Sequence, residues 1–427
     1  MSRAASEKPL GFWACWALVV GCMIGSGVFM LPTLMAPYGL ISFGGWIIAG
    51  AGSIALGLIF GRLAARTNRD GGPYIYAQEA FGGYAGFAMA WAYWFSFVVG
   101  VPVVAIAFAG YLGVFFPAIA QSSTAQAVTA LAAMAAFTII NIRGLREMSA
   151  VQIAMTLLKV VPLFAIIGLA AAFGTPANLP AFNPSNSPIL TTLSAVTLIA
   201  LWPFTGFEVV TLPAGAVQDP ERTIPRALVA GMLFVTFVYL AATTAVMLLV
   251  PAQTLAQSSA PFAEAARAFG PWGAPFIALG ALIATGGTLN GLIFTTGQMP
   301  MAVALDRHAP RWLATTNAGG APYLALLLSS GIGALLLIAN YTRGFIGAFE
   351  FLLKMATSLS LIYYFVCALA ELKYSWRKSG VWGVAALAGL AYAAFAMLGS
   401  GLEVLGWGLA LMTASVPLYF LLRPSPS

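Results

Sequence analysis

Two glycine-containing interruptions lie inside long apolar segments of this chain. One is the Gly-Ser-Gly run at 25–27, within the apolar stretch 11–36, and the other is the Pro-Phe-Thr-Gly-Phe-Glu run at 203–208, within the stretch 190–214. A break in a helix leaves backbone N–H and C=O groups without helical partners, and at membrane depth such backbone is tolerated only where it lines a cavity or is enclosed by protein. Broken helices at corresponding places in two halves of a chain are typical of a transporter's substrate site. The alternative is a pair of packing kinks, because glycine is common in membrane helices.

The composition excludes a soluble domain anywhere in the chain. Of its 427 residues, 61% are hydrophobic and only 7% are charged, where soluble domains average about 25% charged residues. At about 20 apolar residues per crossing, the pattern predicts an all-α membrane protein with twelve transmembrane helices. The predicted spans are 11–36, 40–65, 83–116, 124–142, 149–173, 190–214, 226–250, 272–298, 322–340, 345–371, 380–399 and 402–422.

Basic residues between and at the ends of these spans are divided unequally between the two sides. Of the 19 Lys and Arg residues, fifteen fall on one side: Arg3, Lys8, Arg62, Arg66, Arg69, Arg143, Arg146, Arg222, Arg226, Arg307, Arg311, Lys373, Arg377, Lys378 and Arg423. Only Arg267 and Arg343 fall on the other, and Lys159 and Lys354 lie within spans. The positive-inside rule therefore places both termini in the cytoplasm. The net charge of +7 is interpreted as a topology signal, so no nucleic-acid partner is predicted.

Other function classes lack the residues that they need. The first apolar stretch is too long for a cleavable signal and lacks an A-x-A-like site, so we expect it to stay as a membrane helix. Cys15, Cys22 and Cys367 all fall within spans, which predicts no disulfide framework, no metal site and no cofactor. An integral-membrane enzyme would need a polar constellation, but the chain has no Walker loop, no HExxH and one histidine, His308, in a charged loop. A channel would need repeated rings of polar residues, and this chain has two interrupted helices instead.

The chemistry of the two breaks fits a zwitterion. The positive end of the resuming half-helix favours a carboxylate, and the free carbonyl groups of the preceding half favour an ammonium, so an α-amino acid matches both. The second break adds an aromatic side chain and a carboxylate. The predicted substrate-binding residues at the two breaks are Cys22, Ile24, Gly25, Ser26, Gly27, Trp202, Phe204 and Gly206.

Four charged residues lie within predicted spans. Lys159 is in the middle of the fifth span, where a lysine costs about 2.5–3.5 kcal/mol, so we expect a role in bridging or proton coupling. The alternative is a lysine that snorkels to the interface. Glu208 follows the second break directly and is interpreted as a functional acid, with a structural hydrogen bond as the alternative. Glu350 and Lys354 are four residues apart on the tenth span and are interpreted as a structural pair.

Three segments carry a family resemblance. They are Gly21–Phe29, Gly71–Tyr76, and Phe204–Glu208 followed by Asp219–Arg226. They resemble the amino acid–polyamine–organocation (APC) superfamily, and within it the bacterial arginine/agmatine antiporter and the basic amino acid antiporter family. The resemblance covers nearly the whole chain and implies a LeuT-like fold in a single domain over 1–427. That fold has a five-plus-five inverted repeat, with repeat one at 11–173 and repeat two at 190–371, broken helices 1 and 6, and two further helices at 380–422.

The resemblance also implies roles for single residues. Ser26 and its flanking glycines match the loop that binds the substrate carboxylate, and Trp202 matches the aromatic residue that covers the substrate from the outer side. Tyr93, which we also count among the substrate-binding residues, matches a gate residue, and Glu208 matches a proposed proton-sensitive acid.

Three positions depart from the arginine antiporter pattern. Cys22 and Val101 stand where that antiporter has asparagines, and Leu292, which we count among the substrate-binding residues, stands where it has a tryptophan. The contacts that would hold a guanidinium are therefore largely missing. Lys159 resembles instead the fifth-helix lysine of proton-coupled amino acid permeases and light-chain-type exchangers.

The sequence thus predicts a secondary active amino acid transporter that works by alternating access in the bacterial inner membrane. An amino acid/amine antiporter of the arginine/agmatine type is the first hypothesis, and a proton-coupled permease or exchanger for neutral amino acids is the alternative. Its expected partners are a small-molecule amino acid or amine and the lipid bilayer. Protons as a coupled ion and a homodimer are both left open.

Overall fold

The computed structural model describes residues 11–67, 72–143, 159–208, 217–305, 309–376 and 380–422. These residues form helices and connecting turns, and the helices of nine or more residues are numbered in chain order. They are α1 (Phe12–Met23), α2 (Ser26–Met35), α3 (Ile41–Arg66), α4 (Pro73–Phe81), α5 (Gly83–Leu112), α6 (Ser123–Arg143), α7 (Val161–Phe173), α8 (Ile189–Leu201), α9 (Pro220–Leu249), α10 (Gly273–Leu305), α11 (Tyr323–Asn340), α12 (Gly344–Ser375), α13 (Gly380–Leu398) and α14 (Gly401–Leu422).

Membrane crossings can be counted by helix length and apolarity. Within the described ranges, eight helical stretches are long and apolar enough to cross a membrane, or nine if the bent pair α1 and α2 is one crossing. One of the eight, Tyr323–Ser375, contains both α11 and α12. Parts of the predicted fifth and sixth spans, 149–158 and 209–214, lie outside the described residues. An all-α membrane protein is therefore confirmed, whereas twelve crossings and the two inverted repeats stay predictions.

Helix α5 lies at the centre of the bundle and packs against α4, α6, α10 and α12. Its buried positions are mostly glycine, alanine and valine, and small side chains let membrane helices approach closely. Helix α2, the second half of the first broken span, packs against α5, α9 and α10. The first break is thereby held inside the bundle.

Two ion pairs each join residues one helical turn apart. The segment 261–269 between α9 and α10 is helical, and the Arg267 Nη2 lies 3.2 Å from a carboxylate oxygen of Glu264. On α12, the Lys354 Nζ lies 2.6 Å from a carboxylate oxygen of Glu350. This second pair neutralises both charges within the helix, which fits the structural interpretation.

A buried carboxylate that the sequence analysis did not single out joins α3 to α12. The side chain of Glu371 is fully buried, with Arg62 Nε at 3.0 Å and Arg66 Nη1 at 2.9 Å. Ser375 donates a hydrogen bond to the same carboxylate. The Arg62 guanidinium also lies 4.4 Å from the ring centroid of Trp382, on α13. One carboxylate thus holds the ends of three helices together.

We expect Glu371→Ala to lower the free energy of unfolding by about 2–3 kcal/mol, because it leaves two guanidinium groups without their shared partner. The thermal unfolding midpoint in detergent measures the effect. Glu403→Ala is the matched control, since Glu403 pairs with Arg343 at an exposed site and such pairs contribute about 1 kcal/mol or less. Equal shifts in the two variants would contradict the assignment of Glu371 as the stronger tie.

Candidate functional site

The first break lies where the sequence predicts it. Helix α1 ends at Met23, Ile24 is extended with φ −72° and ψ 93°, and α2 begins at Ser26. The two helical parts are bent by 46°. No side chain of the described residues caps the N-terminus of α2, so the N–H groups of its first turn have neither a helical acceptor nor a cap. The backbone at this point can therefore hydrogen-bond a ligand.

The second break has a different geometry. Helix α8 ends at Leu201, a 3-10 turn follows over Trp202–Phe204, and Thr205 is extended. Gly206 has φ +95°, a conformation that side-chain-bearing residues rarely adopt. The backbone is thus non-helical here, as predicted. Residues 209–216, where the helix was expected to resume, lie outside the described residues.

The two breaks pack directly against each other. A Cβ atom added to Gly27 would lie 2.8 Å from the Pro203 Cβ and 3.0 Å from the Trp202 Cδ1. A Cβ added to Gly100, on α5, would lie 2.9 Å from the Trp202 Cη2 and 3.8 Å from a methyl carbon of Leu292. Both glycines are required for this close approach. The structure thereby brings Gly27, Trp202 and Leu292 together around one indole ring.

Accessible surface remains beside the breaks. Cys22, at the end of α1, is exposed, whereas Cys15 and Cys367 are buried. Among the described residues, a Cβ added to Gly206 would come within 4 Å of the Cys22 Cβ alone, at 3.9 Å, so these two residues flank open space. On the other side of the first break, Thr288 of α10 lies 2.7 Å from where a Gly25 Cβ would be. Cys22 and Gly206 are therefore the predicted residues best placed to touch a ligand.

Tyr239, on α9, links the backbones of both breaks. Its hydroxyl donates to the carbonyl oxygen of Met23 at 2.6 Å and lies 3.2 Å from that of Pro203. Its buried ring packs against Phe204 and Trp46, with centroids 5.5 and 5.2 Å away. These carbonyl groups are among those that the breaks deprive of helical donors. The tyrosine satisfies them without occupying the open space.

Glu208 is fully buried and accepts hydrogen bonds from two tyrosines and from the backbone of the second break. The hydroxyl of Tyr363 donates to one carboxylate oxygen at 3.1 Å, and the hydroxyl of Tyr364 and the N–H of Gly206 donate to the other at 2.9 and 3.2 Å. The ring of Tyr93 meets the Tyr363 ring edge to face, with centroids 5.2 Å apart. Tyr93 and Glu208, both predicted as gate or coupling residues, are thus joined through Tyr363.

Lys159 is buried, with 2% of its surface exposed. It lies within electrostatic range of the Cys22 side chain, near the end of α1. Three residues later, Pro162 packs against Gly280 of α10, 2.9 Å from where a Cβ would be. The burial argues against a side chain that snorkels to the interface.

Some predicted residues lie away from the open space. Phe204 and Ile24 are fully buried, and Phe204 packs against aromatic side chains behind the break. The side chain of Ser26 is not among the described parts, and His308 also lies outside the described residues. Among the described residues, no three His, Cys, Asp or Glu side chains lie close enough together to hold a metal ion.

The sequence analysis missed Tyr239, Tyr363, Tyr364 and Thr288. Each reaches the breaks from a helix far away in sequence, so no local pattern marks it. Thr288 carries a weak signal, because it lies one helical turn before Leu292 on the same face of α10.

Known proteins match the chain over most of its length. Residues 10–418 match the amino acid permease family. A cadaverine/lysine antiporter of Escherichia coli (strain K12) is 30% identical over 333 residues, which cover 76% of this chain and 73% of that protein. An arginine/ornithine antiporter of Pseudomonas aeruginosa is 30% identical over 382 residues, with 86% and 78% covered. A putrescine transporter of Escherichia coli (strain K12) is 27% identical over 435 residues, with 99% and 98% covered.

These relatives are transporters and not enzymes, and they confirm the resemblance that the segments around the breaks carry. The chain belongs to the amino acid permease family of the APC superfamily.

Proposed function

We propose that this protein is an antiporter that exchanges amino acids and related amines across the bacterial inner membrane by alternating access. The observation that carries the proposal is the packing of one helix break against the other, with Gly27 against Pro203. The relatives described above are named for lysine, cadaverine, arginine, ornithine and putrescine, which supports amino acid and amine substrates of the arginine/agmatine type. The distribution of basic residues supports an orientation with both termini in the cytoplasm.

The proposed binding mode uses the backbone of the breaks. The substrate carboxylate accepts hydrogen bonds from the first-turn N–H groups of α2 at 25–27, where the helix dipole is positive. The α-ammonium group binds carbonyl groups at the end of α1 and in the second break. The substrate side chain points into the space beside Cys22 and Gly206, and Trp202 covers the substrate from the outer side. A pre-organised pocket of this kind recognises any α-amino acid through the same main-chain contacts.

A specific observation favours a second candidate, an exchanger or proton-coupled permease for neutral amino acids. Lys159 lies in electrostatic range of Cys22, so its ammonium repels a cationic substrate tail in that space. Val101 is buried and apolar, and Leu292 is apolar. Neither residue supplies an acceptor for a guanidinium or an amine. Neutral side chains fit these surroundings better than charged ones.

Glu208 is the proposed proton-sensitive group, with Tyr93 as the gate residue beside it. Protonation turns one carboxylate oxygen from an acceptor into a donor. The hydrogen bond from Tyr363 or Tyr364 must then rearrange, and the Tyr363 ring is the one that meets Tyr93. Protonation is thereby coupled to the gate. The homodimer stays a prediction.

Exchange assays in proteoliposomes test the proposal. Vesicles preloaded with arginine, lysine, ornithine, cadaverine or putrescine should accelerate uptake of labelled basic amino acid from outside if the first candidate holds. Acceleration only by preloaded alanine, serine or leucine would select the second candidate. Uptake that does not saturate, or whose rate does not depend on the preloaded compound, would contradict an exchange mechanism.

We expect Trp202→Ala to weaken substrate binding by about 1–3 kcal/mol, because the substrate loses its aromatic cover. Binding to purified protein by titration calorimetry measures the change. Trp272→Ala is the control, since this indole is 82% exposed at the start of α10 and should leave the dissociation constant unchanged. A wild-type dissociation constant in Trp202→Ala for every substrate tested would remove the residue from the site.

We expect Tyr239→Phe to lower both substrate affinity and exchange rate. The variant keeps the ring packing but leaves the buried carbonyl group of Met23 without its donor, at a cost of about 1–3 kcal/mol. Tyr341→Phe is the control, because its hydroxyl bonds Thr124 at a distant surface site. Wild-type affinity and exchange in a folded Tyr239→Phe protein would show that the link between the breaks is dispensable.

Lys159→Ala distinguishes two roles for the buried ammonium. If Lys159 is a fixed tether between α1 and α10, exchange should fall at every pH while substrate binding survives. If it carries a proton, the variant should lose the pH dependence of transport specifically. Lys354→Ala serves as the control, because its ammonium is already paired with Glu350. A Lys159→Ala protein with the wild-type rate and pH profile would eliminate both roles.

A further inference from the structure

A concave apolar surface lies away from the breaks, between α5, α10, α11 and α14. We call it the aromatic groove and define it by Trp91, Trp94, Phe95, Val303, Trp312 and Leu328. Its volume is about 320 Å³. It opens to the surroundings of the protein, since Trp312 is 46% and Leu328 36% exposed. A ligand that enters it comes from the phase around the helices.

The helices that line the groove place it at one depth of the membrane. Its residues on α5 are near the start of that helix, those on α10 are in its last two turns, and Leu328 is near the start of α11. At a rise of about 1.5 Å per residue, Trp91 to Phe95 lie about 12–18 Å from the first residue of α5. Helix α5 has 30 residues and is therefore about 45 Å long, so its first residues extend beyond a hydrocarbon core about 30 Å thick, and Trp91 to Phe95 lie within one leaflet. The distribution of basic residues assigns that side to the cytoplasm.

The groove wall offers carbon atoms and no free polar group at its two central indoles. The Trp91 Nε1–H donates to the carbonyl oxygen of Leu411 at 2.9 Å. The Trp94 Nε1–H donates to the Ser329 hydroxyl at 3.0 Å and lies 3.2 Å from the carbonyl oxygen of Thr296. Both indole donors are therefore used within the protein. A polar substrate would lose its hydration here without compensation.

The wall is also pre-formed. The ring centroids of Trp91 and Phe95 are 4.7 Å apart, and those of Trp94 and Phe95 are 4.9 Å apart. Rings that pack on one another in this way lose little further freedom when an apolar chain lies against them. The groove is thus shaped before any ligand arrives.

The residue that precedes Trp312 in the chain carries a positive charge. Arg311 is exposed and directly precedes Trp312 of the groove, at the start of a helical turn. It forms no salt bridge with an acidic residue of the described ranges. Exposed basic side chains at the cytoplasmic membrane surface attract anionic lipid head groups. The apolar wall and the basic residue beside it together match a molecule that has an acyl chain and an anionic head group.

We infer that the aromatic groove binds one acyl chain of an anionic phospholipid from the surrounding leaflet, with the phosphate head group paired to Arg311. The occupant follows from the position of the groove at the level of the lipid chains and from the charge beside it. Because α5 and α10 also carry Gly100, Thr288 and Leu292 beside the breaks, the lipid contacts the two helices that form one wall of the proposed substrate site.

Lipid binding to the purified protein tests the inference. Native mass spectrometry with phosphatidylglycerol and phosphatidylcholine of identical chains should show one saturable lipid, with phosphatidylglycerol bound about fivefold tighter. Arg311→Gln should remove that preference and leave binding of phosphatidylcholine unchanged. Val303→Trp, which fills the groove, should weaken both lipids.

Two matched variants serve as controls. Arg222→Gln removes an exposed arginine on the same side but outside the groove, and Leu335→Trp enlarges a lipid-facing side chain elsewhere on α11. Neither should change the saturable lipid. If Arg222→Gln removes the preference as fully as Arg311→Gln, or if Val303→Trp binds both lipids as the wild type does, the inference is wrong.

A measurement on the unaltered protein covers the case in which Val303→Trp fails to fold. Phosphatidylglycerol with brominated chains should quench tryptophan fluorescence in a saturable step, because three indoles line the groove. Unbrominated phosphatidylglycerol should reverse this step at about fivefold lower concentration than phosphatidylcholine. Quenching with no saturable component would overturn the inference.

Discussion

The close contact of two helix breaks inside a membrane bundle is the constraint on which the rest of the structure depends. Backbone groups released at such depth need partners, and each unsatisfied group costs several kcal/mol. Tyr239 supplies a donor to Met23 and approaches Pro203, and the Gly206 N–H donates to Glu208. Within the described residues, no side chain caps the first turn of α2. That turn is where a substrate carboxylate is proposed to bind.

Charged side chains within the membrane also have partners inside the protein. Glu208 lies under two tyrosine hydroxyls of α12, and Glu371 lies seven residues after Tyr364, on nearly the same face of that helix. One helix therefore holds both the proposed proton-sensitive acid and the carboxylate that fastens Arg62 and Arg66.

The sequence predicted the features whose cause is local. The two breaks were predictable because glycine and proline interrupt an apolar run, and the burial of Lys159 followed from its distance to both ends of its span. The three tyrosines Tyr239, Tyr363 and Tyr364 were not predictable, because their roles arise when distant helices meet. The packing of Phe204 against Trp46 and Tyr239 was not predictable either, since only tertiary packing decides which side of a turn faces the open space.

Because the three cysteines differ in exposure, thiol labelling of the native chain can report whether the space between the breaks is accessible. Cys15 and Cys367 are enclosed by protein, whereas Cys22 borders the space between the breaks. A thiol reagent that does not cross membranes can therefore label only this position, and only from the side to which that space is open. The rate of labelling from each face of a vesicle then measures how often the transporter opens in that direction, without any engineered residue.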